Sequence, residues 1–138
     1  MNDKAFVDTN VFLYLYSADE KDKRQCAIAA IDKYNCCTST QALNEFSNVC
    51  TRKWKLPTAD IQKAIDEICS ACSVTVVSVD VIGQALALHE RYGYSYYDCL
   101  MLASALSAGC RYLLSEDMAD TQVIEDKLTI LNIFADSY

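Results

Sequence analysis

Short apolar segments with the character of β-strands alternate along this chain with longer segments of helical periodicity. The strand-like segments cover residues 5–7, 35–38, 74–79, 112–114 and 128–131. Helical patterns begin near residues 11, 40, 81 and 96, and two more end near residues 34 and 72. Strands that alternate with helices form βαβ units. The sequence therefore predicts an α/β fold with a mainly parallel sheet.

The chain is long enough to form one hydrophobic core. It has 138 residues, of which 52% are hydrophobic and 22% charged, with 3 Gly and 1 Pro. These values are ordinary for a globular domain. No stretch has the composition of a linker or a repeat, so we predict a single domain that spans residues 1–138.

The charge of the chain limits the partners that it can bind. A net charge of −7 opposes strong non-specific binding to nucleic acid, which depends on Lys and Arg. It suits a basic protein partner, and it still allows a nuclease whose acidic centre is neutralised by a metal. No apolar run is as long as a membrane span, and the N-terminus lacks a signal-peptide pattern. We therefore expect a cytoplasmic protein without membrane contact.

Eight cysteines would suggest disulfides in a small secreted protein, but that context is missing here. Cys69 and Cys72 form a lone CxxC on the same predicted helical face as three isoleucines, so both are expected to be buried. A four-thiolate zinc site needs a second close pair, and adjacent Cys36 and Cys37 in a strand fit poorly. The cysteines are therefore interpreted as core residues.

Four acidic residues lie where strands end or helices begin. Asp8 and Asp117 follow strand-like segments, whereas Glu45 and Asp98 lie early in helical ones. In an open parallel sheet, ligands bind outside the carboxyl ends of the strands. Carboxylates that meet there repel one another unless a hard cation joins them, and Mg²⁺ and Mn²⁺ prefer oxygen ligands. The four acids together predict a metal site.

Each acid also has a structural explanation when it is taken alone. Asp8 suits a helix cap, Ser95 and Asp98 have the spacing of a capping box, and Asp117 suits a polar loop. Glu45 is harder to explain, because it lies beside the apolar side of its helix, where an unpaired charge is costly.

Four stretches, in this order, resemble the PIN-domain ribonucleases and specifically the VapC-type toxins. They are residues 6–11 (FVDTNV), 39–46 (STQALNEF), 96–103 (YYDCLMLA) and 113–118 (LLSEDM). The resemblance implies a three-layer PIN-like fold with a mainly parallel five-stranded sheet flanked by helices. Two departures concern loop geometry: Thr121 stands where glycine is common, and Ile133 stands where proline is usual.

The same resemblance implies the site and its cofactor. Asp8, Glu45, Asp98 and Asp117 would be the catalytic residues and the ligands of Mg²⁺ or Mn²⁺. Asp120 would be a fifth contributor to the metal site, and the residues that support the carboxylates would be Asn10, Ser39 and Ser115.

The implied function is a metal-dependent endoribonuclease that acts as the toxin of a type II toxin–antitoxin system. Its partners would be an RNA substrate, a small antitoxin protein and a second copy of the chain in a homodimer. Hydrolysis would leave 5′-phosphate and 3′-hydroxyl ends. The metal-free route through the 2′-hydroxyl usually needs paired acid–base groups, and the chain has only His89.

Contacts to RNA are less constrained by the sequence. Arg52, Lys53, Trp54 and Lys55 combine positive charge with an aromatic ring that could stack on a base. The alternative is a solvated helix end with Trp54 in the core. The tyrosines between residues 94 and 97 are likewise suited either to stacking or to packing.

Two other classes of function also place acids at strand ends. One is a Mg²⁺-dependent phosphatase or phospho-receiver domain, but the acidic pair and the late lysine of a receiver are not evident. The other is a non-catalytic interaction module on the PIN fold, which would not need all four acids.

Overall fold

A computed structural model describes residues 2–135, which form six helices and six strands, with two helices after each of the first three strands and the last three strands in succession. The strands are β1 (Lys4–Val7), β2 (Asn35–Ser39), β3 (Ser73–Thr75), β4 (Tyr112–Leu114), β5 (Val123–Ile124) and β6 (Leu128–Leu131). The helices are α1 (Thr9–Leu15), α2 (Lys21–Lys33), α3 (Thr40–Arg52), α4 (Thr58–Ala71), α5 (Val79–Tyr92) and α6 (Tyr96–Ser107).

The strands form one sheet in the order β3-β2-β1-β4-β6-β5. All neighbouring pairs are parallel except β5 and β6. The chain moves outward in one direction through β1, β2 and β3, and then returns to the other side of β1 for β4. The predicted α/β class is confirmed, and the reversal of strand order falls between β1 and β4, which is where such sheets bind ligands.

The prediction of five strands was wrong, because a sixth, β5, forms within the segment that we expected to be a polar loop. Glu125 and Asp126 adopt left-handed backbone conformations with φ of 53° and 57°. Two consecutive residues of this kind make a tight hairpin turn. The turn brings Ile124 beside Leu128, and both side chains are fully buried.

The strand predicted for residues 74–79 was also too long. β3 ends at Thr75, and the hydroxyl of Ser78 caps α5 by accepting a hydrogen bond from the N–H of Val81. The N–H of Val77 donates to the side chain of Thr40 rather than to a neighbouring strand. The apolar run therefore crosses the surface, where Val76 and Val79 are 75% and 83% exposed.

The core lies between the sheet and its helices. α6 is its centre, because every residue from 99 to 105 is buried, as a helix covered on all sides requires. Large side chains from both ends of the chain fill the remaining space, among them Phe6, Phe12, Phe46 and Phe134. α6 carries Asp98, and Asp8 directly follows β1, so this core positions two of the candidate site residues.

The expectation that both cysteines of the CxxC are buried was wrong for Cys69. α4 faces the core with Ala64 and Ile68. Cys72 lies one helical turn after Ile68 and is buried, whereas Cys69 is rotated to the exposed side of the helix. All eight cysteines of the chain are free thiols.

Two further features of the described part of the chain bear on the expectations from sequence. Thr121, which stands where glycine was expected, has a left-handed backbone with φ of 69°. A β-branched residue is strained there, so this departure has a structural cost. Between residues 2 and 135, no helix has the length and apolarity needed to cross a membrane.

Candidate active site

The site lies at the carboxyl ends of β1 and β4. Val7 pairs with Leu114 in the sheet, so the residues that follow them, Asp8 and Ser115, are neighbours. The Oγ of Ser115 donates a hydrogen bond to Oδ2 of Asp8 at 2.8 Å. Parallel pairing thus joins two residues that are 107 positions apart in the chain.

Asp8 caps α1 and is the most buried of the four acids. Its Oδ1 accepts from the N–H of Thr9 at 2.7 Å, and the residue is only 5% exposed. Burial raises the pKa of Asp8 to about 6, and the negative charges of Asp117 and Glu45 add to the effect, although the bonds from Ser115 and Thr9 oppose it. The capping explanation is therefore correct but incomplete, because a cap alone does not account for three mutually repelling acids.

Glu45 is held by two side chains whose importance the sequence analysis missed. Thr9 donates its hydroxyl to Oε1 of Glu45 at 2.9 Å. Gln41 donates from Nε2 to Oε2 of Glu45 at 2.8 Å and to the backbone carbonyl of Tyr97 at 3.0 Å. Because Gln41 lies one helical turn before Glu45, its contact could have been predicted from the sequence. The contact from Thr9 depends on the tertiary fold and could not.

Ser39 acts on Glu45 through the helix that carries it. The side chain of Ser39 is fully buried and caps α3 by accepting from the N–H of Ala42 at 3.4 Å. Ser39 thus caps the helix that carries Glu45, and its predicted support of the carboxylates stays a prediction.

Asp117 lies in the loop after β4 and is exposed. Asn10 donates from Nδ2 to Oδ2 of Asp117 at 2.7 Å, and Ser115 accepts from the N–H of Asp117 at 3.2 Å. Asn10 and Ser115 thus contact carboxylates of the site directly.

Asp98 lies in the first turn of α6, where its N–H donates to the capping side chain of Ser95 at 3.2 Å. Burial raises the pKa of the Asp98 carboxyl, and repulsion from Asp117 and Glu45 acts in the same direction, against the bond from Ser95. The negative charges of Asp117 and Glu45 therefore act on both Asp8 and Asp98 and raise the pKa of each.

The four acids line one cavity of about 300 Å³, together with Thr9, Asn10 and Asn48. The residues around it include no Lys, Arg or His, so the charges of the carboxylates are not neutralised by side chains. An all-oxygen donor set with mutual repulsion fits a hard divalent cation. Within residues 2–135, no group of three or more His, Cys, Asp or Glu side chains is arranged to hold a metal ion.

The structure places Asp120, the predicted fifth contributor to the metal site, outside this cavity, and His89 lies outside it as well. Asp120 accepts from the N–H of Asn132 at 2.8 Å and lines a separate cavity between α2 and the end of β6. His89 is exposed on α5 and is hydrogen bonded to the carbonyl of Tyr94.

The basic segment at the end of α3 lies at the edge of the site. Lys53 and half-buried Trp54 line a cavity that also includes Asn10, and Trp54 packs against the core. Arg52 and Lys55 are exposed. The position suits RNA binding, while the packing of Trp54 agrees with the structural alternative, so the role of this segment stays a prediction.

A cluster that the sequence analysis missed holds the loop that carries Asp117. Glu116 accepts from the hydroxyl of Tyr14 at 2.6 Å and from Nζ of Lys23 at 2.6 Å. Burial alone would raise the pKa of Glu116, but the bonds from Lys23 and Tyr14 hold it below its usual value. The cluster joins α1 and α2 to the loop, one residue before Asp117.

We expect Glu116→Gln and Lys23→Met each to reduce the RNA cleavage that the family resemblance implies. The loss should be roughly threefold to tenfold, because either change loosens the loop that positions Asp117. The double variant should be little worse than the single ones, since both changes break the same contact. A double-mutant cycle on kcat/KM measures this. Multiplicative losses would show that the two residues act independently and would contradict the prediction.

Asp8→Asn should stabilise the protein in EDTA at neutral pH. A carboxyl whose pKa is higher in the folded protein adds to the free energy of unfolding while it is protonated. This contribution is complete below the pKa of the unfolded chain, 3.8, and is lost as the pH rises through the pKa in the folded protein, about 6. The loss amounts to about 2–3 kcal/mol at pH about 7.5. Asn keeps an acceptor for Thr9 and a partner for Ser115 without the charge.

Urea unfolding of both proteins in EDTA at pH about 5 and about 7.5 measures this effect. The wild type should lose stability between the two values more than the variant does. Equal stability of the two proteins at the higher pH would contradict the prediction. Added Mg²⁺ should stabilise the wild type more than the variant.

The four carboxylates meet beside the reversal of strand order, which is where α/β sheets bind ligands. A PIN domain family model matches residues 5–122. The chain belongs to the PIN domain family.

Comparison with solved structures supports the fold. A toxin–antitoxin complex from Klebsiella pneumoniae is 20% identical, with a TM-score of 0.71 over 94% of this chain and 97% of that chain. VapC20 from Mycobacterium tuberculosis, a toxin that cleaves the sarcin–ricin loop, is 21% identical, with a TM-score of 0.62 over 82% and 89%. FitAcB from Neisseria gonorrhoeae is 12% identical, with a TM-score of 0.65 over 95% and 99%. No curated protein sequence matches significantly.

Proposed function

We propose that the chain is a Mg²⁺- or Mn²⁺-dependent endoribonuclease and the toxin of a type II toxin–antitoxin system in the cytoplasm. The observation that carries the proposal is the convergence of four carboxylates on one cavity of a PIN fold. The similarity to toxins, one of which cleaves the sarcin–ricin loop, supports RNA as the substrate.

The proposed function assigns a role in metal binding or in support of the metal ligands to each site residue. Asp8, Glu45, Asp98 and Asp117 would hold the cation, and Asn10 and Ser115 would keep two of these carboxylates in place. A bound divalent cation supplies an activated water near neutral pH and neutralises charge on the phosphate. Displacement of the 3′-oxygen of the preceding nucleotide by water gives 5′-phosphate and 3′-hydroxyl ends.

Cleavage of total RNA by the pure protein tests this proposal. We expect cuts with Mg²⁺ or Mn²⁺, none with EDTA, and 5′-phosphate ends on sequencing. Cleavage that persists in EDTA, or that leaves 2′,3′-cyclic phosphate, would overturn metal-dependent hydrolysis. Failure to cut any RNA, together with hydrolysis of phosphomonoesters, would favour the phosphatase class.

The surface of the protein supports the proposed partners. The cavity lacks basic side chains of its own, so an antitoxin with an Arg or Lys at this point would complement it. For the homodimer, α5 presents Val79, Ile82 and Leu86 on one exposed face, with the spacing of a helix that packs against another. Sedimentation equilibrium of the purified chain distinguishes a dimer from a monomer.

A further inference from the structure

A second cavity opens beside the carboxylates and has no role in the hydrolysis described above. Its volume is about 670 Å³, within the range of about 300–1,000 Å³ of ligand sites, and its walls include Asn44, Asn48, Val77 and Tyr97. Asn48, Tyr97 and Glu45 line both cavities. The two cavities therefore adjoin, and a ligand held in one lies beside the other.

Tyr97 is the aromatic side chain that distinguishes this second cavity, which we call the Tyr97 cavity. The residue is 66% exposed, whereas Tyr94 and Tyr96 are half-buried. The ring of Tyr97 meets the ring of Tyr96 edge-on, with centroids 5.5 Å apart. This arrangement leaves ring surface of Tyr97 exposed directly beside Asp98.

The position of Tyr97 is tied to that of Glu45 through Gln41. Nε2 of Gln41 donates both to Oε2 of Glu45 and to the carbonyl of Tyr97, at 2.8 Å and 3.0 Å. Because Gln41 is only 8% exposed, this bridge is protected from water. A group that stacks on Tyr97 would thus have a fixed place relative to the carboxylates.

The other walls of the Tyr97 cavity select an uncharged ligand. Asn44 and Asn48 are one turn apart on α3 and are both exposed, so their amides offer donors and acceptors on the same side of the helix. The lining contains Glu45 and no Lys or Arg. This environment disfavours a phosphate and favours a flat neutral group with polar edges, which describes a nucleobase.

We propose that the Tyr97 cavity holds the base of an unpaired nucleotide next to the phosphate that is cut. Tyr97 stacks on the face of the base, and Asn44 and Asn48 bind its edge. The strand must be unpaired, because the faces of bases within a duplex are covered by their neighbours. This inference rests on the proposed ribonuclease function and assigns to Tyr97 the role of positioning the base beside that phosphate.

Binding without cleavage tests the inference. The probe is a short single-stranded RNA that contains 2-aminopurine, whose fluorescence falls on stacking, with Ca²⁺ in place of Mg²⁺. We expect Tyr97→Phe to bind as the wild type does, because the ring is kept. Tyr97→Leu keeps apolar bulk without the aromatic face, and it should weaken binding about tenfold, the size expected for one lost base-stacking contact.

Two controls separate stacking from other effects. The same strand annealed to its complement should bind more weakly and be insensitive to Tyr97→Leu. Val123→Leu, which enlarges a 52% exposed residue on β5, at the opposite edge of the sheet from β3, should change nothing. Equal melting temperatures of the Tyr97 variants exclude misfolding.

The outcomes distinguish this inference from the proposed function. Binding that depends on the Tyr97 ring, in a protein that cuts no RNA with either metal, would leave the base site standing and overturn the nuclease. Cleavage and binding that are unchanged by Tyr97→Leu would overturn the base site alone. Loss of binding to a co-purified protein partner, with RNA binding intact, would show a protein-docking surface and would also overturn it.

Discussion

Replacement of any one of Asp8, Glu45, Asp98 or Asp117 by its amide is expected to reduce RNA cleavage by at least about tenfold. Each change removes one negative charge from the cavity while it keeps the size of the side chain. The amide oxygen can still accept the hydrogen bond from Thr9 in Asp8→Asn and the one from Asn10 in Asp117→Asn, while in Asp8→Asn the amide N–H donates to Oγ of Ser115 instead of accepting from it. The loss should therefore arise from weaker metal binding and not from unfolding.

Cleavage rates at several Mg²⁺ concentrations measure this prediction. Asp120→Asn is the matched control, because the same chemical change is made at an acid that lies in another cavity and accepts from Asn132. The loss of cleavage in Asp120→Asn should be smaller than the loss in any of the four amide variants. A loss as large as theirs would place Asp120 within the metal site, as the family resemblance suggested.

Near-wild-type cleavage by any two of the four variants, with folding shown by circular dichroism, would contradict a site built from four acids. High Mg²⁺ should partly restore an amide variant if its defect is metal affinity. A defect that no metal concentration relieves would indicate a direct role in positioning the substrate.

The positions of the acids could be predicted because they depend on topology. Once strands alternate with helices, parallel pairing brings the residues after β1 and β4 to one edge of the sheet, and Asp8 and Asp117 come with them. The family motifs supplied Glu45 and Asp98, whose helices start at that same edge. The identity of the candidate site therefore required no knowledge of side-chain packing.

The details that escaped prediction depend on local turns and distant contacts. The apolar run from Val74 to Val79 has strand composition, yet the cap at Ser78 ends it and starts α5. The strand β5 depends on two left-handed residues that are neither Gly nor Asn. The contact of Thr9 with Glu45 spans 36 positions, and no local pattern encodes it.

The Glu116 cluster shows a similar limit. Its three side chains come from α1, α2 and the loop after β4, and each alone reads as an ordinary surface residue. Only the packing of both helices against the sheet brings Lys23 within 2.6 Å of Glu116. The sequence alone therefore gives little reason to connect Glu116 with the site, whereas the structure shows its contacts with Lys23 and Tyr14 directly.

Expression of the wild-type chain alone is expected to arrest growth, because an unrestrained ribonuclease destroys RNA that the cell needs. Asp8→Asn should be harmless at the same protein level, and immunoblots of the induced cultures show whether loss of toxicity is due to degradation of the variant. Colony counts and optical density after induction measure the difference, which we expect to be large.

Under the proposed function, co-expression of a small antitoxin gene adjacent to the gene of this chain should restore growth, and its product should co-purify with the chain. Its binding should weaken in high salt, because a basic segment in an acidic cavity is held largely by charge. Removal of the antitoxin's Arg or Lys that is proposed to enter the cavity should reduce the rescue of growth more than it reduces binding. Other contacts would still hold the two proteins together. If wild type and Asp8→Asn are equally harmless in several hosts and no small partner co-purifies, the toxin proposal fails. Metal-dependent cleavage by the same preparation would then indicate a housekeeping nuclease, because its activity would be tolerated without a dedicated inhibitor.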